Sequence, residues 1–125
     1  MTLTIPIPPV SKKNSMKPRM VRGRFAGLMQ SDAYRRYEAD CLRVIPGKAR
    51  VGIDYPVNIK ALYYMPTRRL VDKTNLESAL LDVLVKDGVL ADDNSRIVVS
   101  TDGSRVLYDK DNPRTEITIE KEDAQ

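Results

Sequence analysis

The chain has 125 residues, 42% hydrophobic and 30% charged, enough for one modest core and too few for two. With no histidine and a single cysteine, Cys41, it excludes Ser/His/Asp and Cys/His hydrolases, ordinary zinc sites and internal disulfides, which leaves carboxylate, hydroxyl and lysine chemistry. The net charge of +4 is uneven, because residues 1–50 hold 11 Lys/Arg against 3 Asp/Glu and residues 51–125 hold 10 against 14.

The N-terminal "MTLTIPIPPVSKKN" carries its positive charges after the apolar part, the wrong order for a secretory signal. No apolar run approaches the ~20 residues that cross a bilayer, so a cytoplasmic protein without membrane contact is expected. "LTIPIP" alternates before a Pro-Pro and reads as a short edge strand. Residues 11–30 carry Gly and Pro without a sustained period, which predicts a basic loop. Lys12, Lys13, Lys17, Arg19, Arg22 and Arg24 follow one another there with no acidic residue between them, and Phe25 comes next. Such an arm suits phosphate contact and ordering on nucleic acid; a functionless tether is the competing reading.

Ser31 is placed as an N-cap, and "DAYRRYEADCLRVI" predicts a helix ending before Pro46, with Ala33, Tyr34, Tyr37, Cys41, Leu42, Val44 and Ile45 as its apolar stripe. Cys41 lies within that stripe and reads as a small core residue, since no histidine exists to activate it. "YPVNIKALYYM" puts Val57, Ile59, Ala61 and Tyr63 in period 2, a strand with one buried face. After the "MPTRRL" turn, a helix from about Asn75 to Asp87 would bury Leu76, Ala79, Leu80, Val83 and Leu84 and stop at Gly88. Leu81 and Val85 widen its apolar surface, either for deeper burial or for a dimer contact. "TNLE" reads as a capping box, with Thr74 as the cap and Glu77 bonding back to it. "IVVSTDGSRVLYD" predicts two short strands around a bend, and "RTEITIEK" a terminal strand. The order predicts a single α+β domain over 1–125, a mixed sheet with two main helices packed on it.

Two acidic sites stand at element ends: Asp72 before the second helix, and Asp92 with Asp93 after it. Adjacent carboxylates are relieved by a divalent cation, and oxygen ligands select magnesium, with manganese as the alternative. If the strand after that helix runs beside the one before it, the pair could return near Asp72. Asp-Asp-Asn is equally ordinary turn chemistry, and an aspartate before a helix favours the positive end of its dipole.

"MPTRRLVDKTNLESALLDVLVKDGVLADDN" resembles the RusA family of Holliday-junction resolvases, metal-dependent endodeoxyribonucleases common in phages and prophages. The family pattern is an arginine-rich turn, Asp-x-Asp-Asn, a helix with Asp-Ala-Leu, a glycine and an Asp-Asp pair. It falls on Arg68, Arg69, Asp72, Thr74, Asn75, Asp82, Gly88, Asp92 and Asp93. "IPIPPVSKKN" is similar to the family's opening segment, with Asn14 at its end. The resemblance covers nearly the whole chain. It implies a mixed α/β homodimer that binds four-way or similarly branched DNA. It also implies magnesium and metal-ligating, catalytic roles for Asp72, Asp92 and Asp93, supported by Thr74, Asn75 and Glu77. Arg68, Arg69, Lys73 and the basic arm with Asn14 would contact DNA. The chain departs from the pattern at Thr74, where the family has the second aspartate, and at Ser78, where it usually has a lysine. Two functions follow as expectations. One is a magnesium-dependent endonuclease in which a metal-activated water attacks in line; the other is a branched-DNA-binding protein with weak or lost cutting.

Overall fold

In a computed structural model, which describes residues 1–12 and 16–123, the elements run β1 (Thr2–Ile5), β2 (Met16–Val21), β3 (Arg24–Gln30), α1 (Asp32–Val44), β4 (Val57–Met65), α2 (Lys73–Lys86), β5 (Val98–Ser100), β6 (Arg105–Tyr108) and β7 (Arg114–Lys121). β7 lies between β1 and β4, antiparallel to both. On the far side of β4, β5 pairs parallel with its beginning and β6 with its end. This is the mixed sheet expected.

The register explains why only one face is covered. Ile59 stands opposite Ile119, Ala61 opposite Ile117 and Tyr63 opposite Thr115, so the alternate buried residues of the two central strands share a face. The predicted stripe of α2, Leu76, Ala79, Leu80, Val83 and Leu84, is wholly buried in the same core, with Leu81 and Val85 partly buried against it. Tyr34, Tyr37 and Cys41 of α1 complete that core. Ala33 and Leu42 are exposed, contrary to expectation: the helix turns 100° per residue, and its buried row is Tyr34, Tyr37 and Cys41, with Val44 partly buried against the core.

α1 starts as predicted, with the Ser31 hydroxyl accepting from the Tyr34 amide at 3.2 Å. α2 ends in a Schellman turn, where Val89 N–H donates to the Leu84 carbonyl and Gly88 N–H to that of Val85, with Gly88 at φ +83°. Its start differs from the prediction. The helix begins at Lys73, and its N-cap is Asp72, whose carboxylate accepts from the Thr74 amide at 2.9 Å. Thr74 therefore lies inside the first turn. Glu77 pairs with Lys73 at 2.9 Å and does not close a capping box. An aspartate outranks a threonine as a cap because its charge also meets the positive helix end.

The segment read as a loop is the largest correction. Most of it folds into the β2–β3 hairpin, closed by Arg22 (φ 51°) and Gly23 (φ 76°), the positive pair that a two-residue type I′ turn requires. Ala26 and Gly27 together oppose Arg19, forming a bulge that breaks the alternation and hides the strand period from the sequence.

Candidate functional site

The turn after β4 carries the first group of expected site residues. Met65, Thr67, Arg69 and Asp72 border an open cleft of about 610 Å³, with Pro9 and Ser11 on its other wall. Leu70, 97% exposed, stands at the rim. Beyond it a second cleft reaches Val106 and Tyr108 of β6. The Arg68 guanidinium lies 4.3 Å from the centre of the Tyr108 ring, a cation–π contact that steadies one arginine of the turn. Sequence reading missed Tyr108, because nothing local announces that β6 pairs in parallel with the end of β4. Lys73 and Thr74 are exposed on the first turn of α2, and Asn75 there accepts from the Lys12 amide at 3.3 Å.

Asp92 and Asp93 are placed elsewhere. Leu90 pairs with Ile53, and the Ala91 amide donates to the Ile53 carbonyl, so the acidic pair lies just beyond the segment that precedes β4. α2 runs back along β4 from its end towards its beginning. The expected return of the pair to Asp72 therefore does not occur within one chain, although β5 does run beside β4. The two acidic sites are separated by the 14 residues of α2, about 21 Å of helix. Among the described residues no group of three acidic or thiol side chains gathers to hold a metal ion.

Each aspartate has a local task. One oxygen of Asp72 caps α2. Asp92 accepts from the Asn94 amide at 2.9 Å and from the Asp93 N–H at 2.8 Å; these bonds, the Asn94 side chain first, hold its carboxyl below the usual range. Asn94 in turn accepts from the Arg96 amide, so Asp92 and Asn94 build the turn that presents Asp93 to solvent.

The basic residues also separate. Lys12 forms an ion pair with Asp82 of α2, which draws its ammonium onto the domain. Lys13 and Asn14 lie outside the described residues. Lys17 pairs with Asp32 at 2.8 Å, tying the base of the hairpin to the start of α1. Arg19, Arg22 and Arg24 are exposed along the hairpin and at its turn. No described helix is long and apolar enough to cross a membrane.

A single α+β domain that carries an arginine-bearing ribbon, a two-arginine turn and exposed aspartates at both ends of its central helix has the surfaces of a nucleic-acid-acting protein: cations for phosphates and carboxylates free of any enclosed pocket. The family model described as Endodeoxyribonuclease RusA matches residues 6–120, and the chain belongs to that family of Holliday-junction-resolving endodeoxyribonucleases. Comparison with curated proteins gave no match.

Proposed function

We propose that this chain is a magnesium-dependent endodeoxyribonuclease that resolves four-way or similarly branched DNA as a homodimer, with Asp72, Asp92 and Asp93 serving the metal. The observation that carries the reading is the family match over residues 6–120, within which Asp72 is exposed at the start of α2 and Asp92 and Asp93 are exposed in the turn that follows it. The residues of one protomer do not fit a magnesium ion, since the 14 residues of α2, about 21 Å of helix, lie between Asp72 and the Asp92–Asp93 turn, and among the described residues no three acidic side chains gather. Two copies related by a twofold axis, with their α2 helices antiparallel, would set Asp72 of each beside the partner's Asp93. Such an arrangement gives two equivalent sites, as two strands to be cut require. Arg68, Arg69 and Lys73 would hold phosphates beside Asp72, with Thr74, Asn75 and Glu77 shaping the helix start. Asp92 would set the position of Asp93 through the turn it holds.

The test is nicking of a synthetic four-way junction with magnesium by native protein, Asp72→Asn, Asp93→Asn and an equimolar, re-equilibrated mixture of the two variants. Paired nicks are expected from the native protein and none from either variant. The mixture should recover nicking in one strand, because each mixed dimer keeps one intact Asp72 and Asp93 combination. Binding without nicks by the native protein would instead make this a branched-DNA-binding member of the family. A mixture that stays inactive despite exchange of subunits would refute the shared site.

A further inference from the structure

The β2–β3 hairpin has two unlike faces. Directly opposed residues of an antiparallel pair share a face, so Pro18 with Leu28 and Met20 with Phe25 make one side. Lys17, Arg19, Val21 and Arg24 lie on the other, and Arg22 occupies the turn. The apolar side has no cover: Met20 is 57%, Leu28 64% and Phe25 67% exposed. A two-stranded ribbon without a packed face is marginal in water, so a ribbon of this composition calls for a partner.

The geometry points to unstacked bases at a DNA branch point as that partner. Phe25, with Met20 beside it, would be the wedge that enters the opened base stack, while Arg19, Arg22 and Arg24 hold the flanking phosphates. Charge argues for this occupant. No acidic residue occurs between Lys12 and Ser31, so Arg19, Arg22 and Arg24 leave the ribbon cationic, and a second copy of the same ribbon would cover its apolar side without supplying any counter-charge. DNA supplies the counter-charge along the same ribbon, and a major groove accepts two strands in width. A continuous duplex offers stacked bases and therefore only the phosphate half of the match. A branch offers bases whose stacking is already interrupted, at small further expense in unstacking. The hairpin would then select branched over linear DNA, a role separate from the carboxylates. This rests on the branched-DNA reading above.

Phe25 is exposed, so its replacement leaves the core intact, and the chain has no tryptophan, so Phe25→Trp introduces a single reporter. Binding is measured in EDTA, without cleavage, to a four-way junction carrying 2-aminopurine beside the branch and to a linear duplex of the same sequence. Native protein and Phe25→Trp should raise 2-aminopurine emission on the junction, and the tryptophan should be quenched there and not on the duplex. Phe25→Ala should lose the emission rise and about ten-fold in junction affinity while duplex affinity is unchanged. Equal junction affinity for Phe25→Ala and native protein, with the same emission rise, would overturn the wedge. So would a Phe25→Ala variant that sediments as a smaller species, because the apolar face would then be a contact between copies of the chain. Native protein that fails to bind the junction at all would overturn the branched-DNA reading itself, whereas binding without an emission rise would overturn only the wedge.

Discussion

Asp72 caps α2 and is proposed as a metal ligand, and two substitutions separate these tasks. Asp72→Ala removes the acceptor of the 2.9 Å bond from the Thr74 amide and the negative charge at the start of α2. Loss of a cap costs about 1 kcal/mol, and loss of the charge about 0.5 kcal/mol more. For a domain of 125 residues the entropy of unfolding is about 0.26 kcal/mol/K, so Tm should fall by about 6 °C. Asp72→Asn keeps an acceptor oxygen and loses only the charge, for a fall of about 2 °C. Neither variant should nick a four-way junction in magnesium, although both should bind it. The assays are thermal unfolding followed by circular dichroism, and junction nicking on a denaturing gel. Native nicking by Asp72→Asn would refute the metal role, and equal loss of Tm in the two variants would refute the cap.

Leu84, fully buried in the core, should cost about 2–5 kcal/mol on change to Ala, read from urea unfolding. Asp87 is buried with one oxygen unpartnered, and burial raises its carboxyl pKa despite the nearby Arg50 and Lys86. A raised pKa means that stability present at low pH is lost as pH rises from the ordinary value of 3.8 through the raised one. Asp87→Asn should therefore raise Tm at pH 7 by a few degrees and leave it unchanged near pH 3; a gain that persisted at pH 3 would exclude ionisation as its source. Replacing Arg19, Arg22 and Arg24 by Ala should flatten the log–log salt dependence of duplex binding by about 2 to 3, whereas Lys12→Ala should leave it unaltered because that ammonium is paired with Asp82.

The elements with an unbroken period are legible in the sequence itself. β4, β7 and the buried stripe of α2 follow from alternation at 2 and from apolar residues at i, i+3 and i+4, and the register then aligns their buried faces. The hairpin was not legible, because the bulge at Ala26 and Gly27 and the positive-φ Arg22 are backbone events that side-chain pattern does not encode. Asp72 and Thr74 compete for the same cap, and the choice depends on where the chain leaves the "TRRL" turn, which local sequence leaves open. The two acidic sites stand apart for a topological reason that local sequence does not carry. A helix that joins two parallel neighbours must travel back the full length of the first strand, so groups at its two ends are as far apart as the helix is long.

Thr74 acquires a different meaning from that geometry. It sits one residue into α2, with its amide already bound by Asp72 and its side chain exposed. The second aspartate that the family pattern would place there would stand next to Asp72 at one end of the helix, and Thr74 removes charge from that end alone. Asp92 and Asp93 at the opposite end keep theirs, because their turn is built independently from Asn94 and Arg96. If a metal is shared between copies, the end contributed by Asp72 holds it with one carboxylate and the end contributed by Asp93 with two. Weakened metal affinity should then appear as a higher magnesium requirement for nicking with unchanged junction binding, since the phosphate contacts proposed for β2–β3 and for Arg68, Arg69 and Lys73 do not use the Thr74 side chain.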